Sequence, residues 1–224
     1  MDFNDTKEIY RSTVNRAVAF VGKDLDFFTA VKADFVRRAI RERLPTVTRP
    51  RVLDVGCGHG LIHPMLAAYD LVAVDVATEV LRLARAANPT VRYAAYDGRT
   101  LPFRQGAFDV AIALCVMHHL LPAQWVPFLD EMRKMLNKGG IIVIFEHNPF
   151  NPLTRYVVAN NEIDADACLL TDSTLRQHLR RAGFNRISTR HILFTPIAAP
   201  VFRWLDRFLW WCPFGAQYYT TASR

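Results

Sequence analysis

The sequence predicts an α/β protein with an open, doubly wound sheet. Apolar runs of strand length recur along the middle of the chain and are nearly continuous, which is typical of strands buried on both faces of a parallel sheet. Helical patterns separate these runs, and strands that alternate with helices form parallel sheets. The predicted strands lie at residues 51–55, 71–76, 91–95, 108–116 and 141–145.

The helical patterns between these strands lie at residues 61–68, 78–87 and 122–136. The third carries an apolar stripe and is followed by Lys138-Gly139-Gly140, which predicts a glycine stop at its carboxyl end. Two further amphipathic helices are predicted before the first strand, at residues 5–20 and 24–44.

The chain after the fifth strand predicts helices first and then two more strands. Pro149 and Pro152 open a short helix, and Thr171 caps a second helix that stops at Gly183. A strand at residues 187–194, a helical insert at residues 199–211 and a closing strand at residues 217–223 complete the predicted order.

Length and composition agree with a single globular domain. The chain has 224 residues, of which 51% are hydrophobic and 22% charged, so it can bury a sizeable core without covalent staples. The cysteines form no C-x-x-C pair, which argues against a disulfide framework or a structural zinc site and favours a reducing compartment. They are Cys57, Cys115, Cys168 and Cys212.

The net charge of +7 first suggests nucleic acid or an anionic membrane as a partner. Its position weakens that suggestion, because the basic excess lies in residues 1–51 and 151–224 while residues 52–150 are nearly neutral. Solvated helix faces explain this distribution.

The first residues are acidic where a secretory signal would be basic, and the apolar stretches are too short to cross ~30 Å of hydrocarbon. We therefore expect a cytoplasmic protein.

The strongest local signal is a predicted strand that runs into a glycine-rich turn and a helix. Gly56, Gly58 and Gly60 let the backbone turn tightly and let a ligand approach main-chain atoms. Asp54, two residues before the first glycine, would repel a pyrophosphate at the helix amino end but suits a cationic ammonium group. This acid therefore favours an amino-acid-like ligand over a dinucleotide.

Two more acids follow neighbouring strands of the predicted sheet. Asp75 ends the second strand, where a carboxylate can accept both hydroxyls of a ribose. Asp97 follows the third strand, where it can accept from the exocyclic amine of adenine. A ligand with an ammonium group, an unphosphorylated ribose and an adenine is S-adenosylmethionine.

The chain is similar to the class I S-adenosylmethionine-dependent methyltransferases of the small-molecule, type 11-like family. The similarity rests on the residues above together with Leu101-Pro102-Phe103, residues 108–110 and 115–120, and the glycine pair after the third helix. The resemblance implies a Rossmann-like sheet of seven strands with an antiparallel last strand. It implies one domain over residues 1–224, with a helical cap at 1–48, a cofactor-binding core at 50–147 and a substrate side at 148–224. The cofactor site that it implies consists of Tyr10, Asp54, Gly56, Cys57, Gly58, Gly60, Asp75, Val76, Asp97, Gly98, Leu114 and Cys115.

Candidate catalytic residues follow the fourth and fifth strands. Methyl transfer from a sulfonium chiefly requires alignment, and a base is needed only where the acceptor holds its proton tightly. The resemblance implies that His118 takes the acceptor proton and that Glu146 holds the imidazole, with His119 and His147 as substitutes. The alternative is structural, with the paired histidines capping the next helix and Glu146 binding backbone. No metal is expected, because residues 116–120 offer no carboxylate for magnesium.

The predicted acceptor is a small or lipid-linked molecule, methylated on oxygen. N- or C-methylation of a natural product or nucleic acid, and a cofactor-binding partner protein without turnover, stay as alternatives. Asn148-Pro149-Phe150 resembles a nucleic-acid methyltransferase motif but follows the wrong strand, so nucleic acid is unfavoured. The aromatic residues near the carboxyl end are interpreted as core, and Trp204 and Trp211 also as a wall for an apolar acceptor or a peripheral membrane contact. The oligomeric state is left open.

Overall fold

The central feature of the computed structural model is a seven-stranded sheet. The structure describes Ser12, Asn15, residues 25–194, 208–209 and 211–224, except the side chain of residue 162. Its strands are β1 (Arg51–Val55), β2 (Asp70–Asp75), β3 (Arg92–Ala95), β4 (Phe108–Leu114), β5 (Leu136–His147), β6 (Asn185–Ile192) and β7 (Gln217–Ser223).

The strand order is β3-β2-β1-β4-β5-β7-β6. Strands β1 to β5 pair in parallel, whereas β7 runs antiparallel to both β5 and β6. The order reverses between β1 and β4, and open α/β sheets bind ligands at the carboxyl ends of strands at such a point. The predicted doubly wound sheet of seven strands with an antiparallel last strand is confirmed.

Helices cover both faces of the sheet, which is why the middle strands are apolar at successive positions. On one face Leu53 packs in a cluster with Leu129 and Leu175, and on the other Val52 packs with Val36 and other residues of the first helix. The helices are α1 (Leu25–Arg43), α2 (Thr78–Ala87), α3 (Trp125–Met135), α4 (Pro152–Ala159) and α5 (Asp172–Arg181).

Two predicted helices differ from the observed ones. The helix predicted at residues 61–68 is a short 3-10 helix, His63–Leu66, in a segment that contains Pro64. The helix predicted at residues 122–136 consists of a 3-10 turn, Pro122–Gln124, followed by α3.

The glycine stop predicted after α3 is also wrong. Helix α3 ends at Met135, and Leu136 already pairs with Phe108 at the start of β5, with its side chain buried. Gly139 and Gly140 lie inside that strand. Burial of Leu136 in the sheet, rather than a glycine cap, therefore ends the helix.

Several predictions fall on residues outside the described ones. They include most of the helix at 5–20 with Tyr10, and most of the insert at 199–211 with Trp204. Among the helices that the structure describes, none combines the length and the apolar character needed to cross a membrane.

Candidate functional site

A cavity of about 570 Å³ opens at the carboxyl ends of β1, β2, β4 and β5. The glycine-rich turn after β1 forms one wall, and α1, α4 and the segments after β4 and β6 form the others. Of the predicted cofactor residues, those that line it are Asp54, Gly56, Cys57, Gly58, Asp75, Val76, Gly98, Leu114 and Cys115.

The glycines of the turn have two different reasons to be glycine. Gly56 has a φ of 75°, and a Cβ on it would lie 2.7 Å from Val116 Cγ2, so the protein itself excludes a side chain there. Gly58 has a φ of 53°, but its Cβ would meet no atom within 4 Å. The space beside Gly58 is open cavity, which leaves its backbone accessible to a ligand.

Asp54 presents one bonded and one unbonded carboxylate oxygen. Its Oδ2 lies 2.9 Å from His63 Nε2, and His63 Nδ1 lies 2.7 Å from the hydroxyl of Tyr93. Its Oδ1 is buried and has no hydrogen-bond partner in the part of the chain that the structure describes. A buried carboxylate oxygen without a donor is costly, so this atom fits the ammonium group of S-adenosylmethionine.

Asp75 is fixed by the backbone of the loops around it. Its Oδ2 accepts from the Gly58 N–H at 2.8 Å and its Oδ1 from the Ala77 N–H at 3.0 Å. Burial raises the pKa of Asp75 despite these hydrogen bonds. A carboxylate has about four acceptor sites, so capacity for ribose hydroxyls is left. Val76, 49% exposed, adds an apolar surface at the cavity.

Asp97 and Gly60 lie outside the cavity lining. Asp97 is exposed, and its Oδ1 accepts from the N–H groups of Arg99 and Thr100, which lower its pKa. A Cβ on Gly60 would lie 2.6 Å from His63 Nδ1, so this glycine makes room for the histidine that holds Asp54. Contact of Asp97 with adenine stays a prediction, and Tyr10 lies outside the described residues.

The structure brings His118 and Glu146 together. His118 Nδ1 lies 2.6 Å from Glu146 Oε2, and both side chains are buried. Glu146 Oε1 also accepts from the N–H groups of Met117, at 2.8 Å, and Val116, at 3.2 Å. Glu146 therefore both orients the imidazole and holds the backbone after β4. Neither histidine caps the helix that follows, and the catalytic role of His118 stays a prediction.

Asp164 is a second carboxylate at His118, and the sequence reasoning missed it. It lies in the short 3-10 helix Glu162–Asp164 after α4, with Oδ1 3.4 Å from His118 Nε2 and 3.7 Å from His119 Nε2. Asn161 Nδ2 donates to the other oxygen at 2.7 Å. No motif marks this segment, because it reaches the cavity only through the path of the chain after β5.

The charges of this cluster differ sharply from those of isolated side chains. Burial lowers the pKa of His118, but the negative charge of Glu146 and the hydrogen bonds to Asp164 and Glu146 outweigh it and raise the pKa to about 10. Burial and the charge on His118 lower the pKa of His119 to about 4 and that of His147 to about 3. At neutral pH His118 is thus an imidazolium that donates hydrogen bonds, whereas His119 and His147 are neutral.

Helix α1 contributes a cation to the same cavity. Lys32 Nζ donates to Cys115 Sγ at 3.1 Å, and Cys115 has a left-handed φ of 59°. The remaining wall beyond the His118 cluster is largely apolar. It contains Phe28, Leu120, Leu153, Val157, Ile163, Leu193 and Phe194.

Comparison with known proteins matches the middle of the chain to a known domain. Residues 53–144 match the family model described as a methyltransferase domain. This chain carries a class I S-adenosylmethionine-dependent methyltransferase domain. A solved S-adenosylmethionine-dependent methyltransferase from Archaeoglobus fulgidus superimposes with a TM-score of 0.62 at 18% identity, over 86% of this chain and 94% of that one. That likeness confirms the fold of the methyltransferase domain.

Relatives of the methyltransferase domain act on different acceptors. A demethylmenaquinone methyltransferase from Beutenbergia cavernae is 31% identical over 49% of this chain and 46% of its own length. A ubiquinone biosynthesis O-methyltransferase from Roseobacter denitrificans is 25% identical over 66% and 65%. A tRNA (carboxymethyluridine(34)-5-O)-methyltransferase from Xenopus tropicalis is 30% identical over 42% and 15%. The chain thus spans less than two thirds of each of these relatives.

Proposed function

We propose that this protein transfers the methyl group of S-adenosylmethionine to an oxygen atom of a small or lipid-linked acceptor. One observation carries the proposal: a single cavity joins the open backbone at Gly58 and the unbonded oxygen of Asp54 to the buried cluster around His118. The first part fits the amino-acid end of the cofactor. The second part offers groups that hold and deprotonate an acceptor.

The cofactor supplies a methyl group on a cationic sulfur, so the leaving group needs no protonation. Asp54 would bind the ammonium group, Asp75 the ribose, and Val76 would contact the adenine. These groups would hold the cofactor in place, and alignment of methyl group and acceptor is the main requirement of an in-line displacement.

The acceptor hydroxyl binds between His118 and Asp164. Because its pKa is raised to about 10, His118 serves in this proposal as a donor and not as the expected proton acceptor. It donates from Nε2 to the hydroxyl oxygen, Asp164 Oδ1 accepts the hydroxyl proton, and Glu146 keeps the imidazolium in place. The hydroxyl proton becomes far more acidic as the carbon–oxygen bond forms, so a carboxylate with a pKa of about 2 accepts it at that stage.

An apolar acceptor fits the rest of the site. Leu153 lines the cavity and is partly exposed, and Phe150, Trp211 and Phe214 are exposed apolar residues of the same or neighbouring segments. Asn151 Nδ2 donates to the Phe214 carbonyl, which ties two of these segments together. Relatives named for menaquinone and ubiquinone methylation agree with an apolar, ring-bearing acceptor.

Calorimetry with S-adenosylhomocysteine tests the cofactor assignment. The wild type should bind one equivalent, and Asp54→Asn should weaken binding at least about tenfold, because an amide is a poorer partner for an ammonium group. Asp70→Asn is the matched control, since Asp70 lies at the start of β2 and pairs with Arg92. Absence of binding to the wild type, or equal affinity in all three proteins, refutes the assignment.

Transfer to RNA is the second candidate function. The tRNA methyltransferase relative and the basic flanks of the chain support it. Tritiated methyl transfer to quinols and to bulk tRNA, measured side by side, distinguishes the two acceptor classes. Incorporation into RNA alone would replace the small-molecule proposal.

A further inference from the structure

A group of three metal-ligating side chains lies at the acceptor end of the cavity. His118, His147 and Asp164 each offer one ligand atom, and these atoms lie within 4.8 Å of one another. All three residues line the cavity. The 3.4 Å between His118 Nε2 and Asp164 Oδ1 matches two ligands held about 2.1 Å from one ion at a tetrahedral angle.

Two of these side chains have their other polar atom held by a neighbour. His118 Nδ1 faces Glu146, so Nε2 is the nitrogen on the cavity side. Asn161 donates to Asp164 Oδ2, which leaves Oδ1 on the side of the histidines. Metal-bound histidines almost always donate their second N–H to a carboxylate or carbonyl, and metal-bound carboxylates are hydrogen-bonded in turn.

Gln217 provides the corresponding support for His147. Its Nε2 lies 3.4 Å from His147 Nδ1, while its Oε1 is buried and has no partner among the described residues. Rotation of this amide by a half-turn places the oxygen at His147 Nδ1, where it accepts the N–H. The rotation gives the buried oxygen a donor and leaves the second ring nitrogen of His147 as a lone-pair ligand.

Once His118 is uncharged, as a metal ligand must be, the cluster has negative charge to neutralise. Glu146 and Asp164 are both buried, and both contact the His118 ring. Buried carboxylates are stable only when paired with positive charge or an ion. Among the described residues, Lys32 also brings a positive charge to the cavity, and its ammonium group donates to Cys115 Sγ. A divalent ion would balance the two carboxylates with both histidines neutral.

We propose that His118, His147 and Asp164 bind a divalent first-row transition metal ion. Two imidazoles and one carboxylate suit Zn²⁺ or Fe²⁺ better than Mg²⁺ or Ca²⁺, which prefer oxygen ligands. Three protein ligands leave coordination positions open toward the cavity, as in catalytic zinc sites. The ion's role rests on the proposed function: when bound, it would replace the His118 Nε2 proton as the group that holds the acceptor oxygen. Asp164 would then be a ligand of the ion rather than the proton acceptor.

This site departs from the sequence-based expectation of a metal-independent enzyme. That expectation considered carboxylates close behind the fourth strand, the arrangement needed for magnesium. The carboxylate found here comes from the segment after α4, and the donor set is rich in nitrogen.

Competition titration of the chelator-stripped, full-length protein with Zn²⁺ tests the proposal. The wild type should bind one equivalent in competition with a chromophoric chelator, and Asp164→Asn and His147→Gln should each lower the affinity at least about tenfold. Asp164→Glu, which keeps a carboxylate, should recover part of the loss. Asp166→Asn and His178→Gln are the matched controls: Asp166 is exposed in the same segment, and His178 packs on Trp125 away from the cavity.

Cysteine is the competing ligand, because Cys115 lines the same cavity. Titration with Co²⁺ should give visible d–d bands without thiolate charge-transfer bands, and Cys115→Ser should retain Zn²⁺ affinity. Unchanged affinity in both ligand variants, or loss of binding in Cys115→Ser, overturns the proposal. S-adenosylhomocysteine calorimetry on the same samples separates the metal site from the cofactor assignment. Binding of S-adenosylhomocysteine without binding of Zn²⁺ refutes the metal site and leaves the cofactor assignment standing.

Discussion

At the scale of single residues, the site depends on which atoms are left without protein partners. Asp54 has one oxygen held by His63 and one without a hydrogen-bond partner among the described residues, whereas both oxygens of Asp75 accept backbone N–H groups. Glu146 uses both oxygens within the protein and lines no part of the cavity. Asp164, by contrast, points one oxygen at the histidines that an acceptor would meet.

The role of Asp164 in turnover predicts a selective loss of rate. Asp164→Asn keeps the size and the Asn161 contact but loses the proton acceptor, so kcat should fall about 10²-fold or more. The affinity for S-adenosylhomocysteine should stay close to that of the wild type, because the residue lies at the other end of the cavity. The measurement is tritiated methyl transfer to the best substrate in a panel of phenols and quinols.

Asp166→Asn is the control for this change, since Asp166 is exposed two residues further along the same segment. A wild-type kcat in Asp164→Asn would remove Asp164 from the mechanism. An equal loss in both variants would point to disruption of the segment instead.

At the scale of elements, the turn between β1 and the 3-10 helix His63–Leu66 has both a structural and a binding role. Its backbone is tied to β2, because the N–H groups of Gly56 and Cys57 both donate to the Val74 carbonyl. The glycines differ in what surrounds them: Val116 packs against Gly56, and open cavity lies beside Gly58.

This difference predicts opposite outcomes for two alanine substitutions. Gly58→Ala should lower affinity for S-adenosylhomocysteine at least about tenfold, because its methyl group fills the ligand's space, with about 1–2 kcal/mol lost from the left-handed φ. Gly56→Ala should lower the free energy of unfolding by more, because the same strain is added to a clash with Val116. Urea unfolding and calorimetry on both variants measure the two effects. A Gly58→Ala protein with wild-type affinity would place the cofactor elsewhere.

At the scale of the whole molecule, the cavity joins segments that are far apart in the chain. Helix α1 supplies Lys32, the carboxyl ends of β1 and β2 supply Asp54 and Asp75, and the region after β5 supplies Asp164. A ligand that fills the cavity therefore contacts both the sheet and the helices on either side of it. Such binding should stabilise the entire fold rather than one loop.

Thermal unfolding with S-adenosylhomocysteine measures this coupling. At a ligand concentration about 100 times Kd, binding to the folded state alone adds about 2.7 kcal/mol, which corresponds to roughly 5–11 °C in Tm for a domain of this size. Asp54→Asn at the same ligand concentration should show a smaller rise, and Asp70→Asn the full one. A rise that is identical in all three proteins would indicate binding outside this cavity.

The sequence predicted some elements of the structure better than others. Residues 51–55 and 108–114 were predictable as buried strands, because helices cover both faces and most positions are apolar. The helix at 61–68 was not, since its proline and its role in placing His63 under Asp54 favour a tight 3-10 turn. The His118–Glu146 contact was expected from the family resemblance, whereas the contact of Asp164 with His118 became visible only in the structure.

The sequence by itself determined the succession of strands and helices along the chain, the glycine turn and the acids at the strand ends, because each is encoded by local pattern within one β-α unit. Only the tertiary structure decided the partners of those acids. These partners are His63 and Tyr93 at Asp54, and Asp164 and Gln217 at the histidines, and no local pattern indicates these contacts. The physical reason is that the charge state of a side chain and the number of its unpaired polar atoms depend on distance and burial. Both arise only when the sheet brings remote segments to one edge.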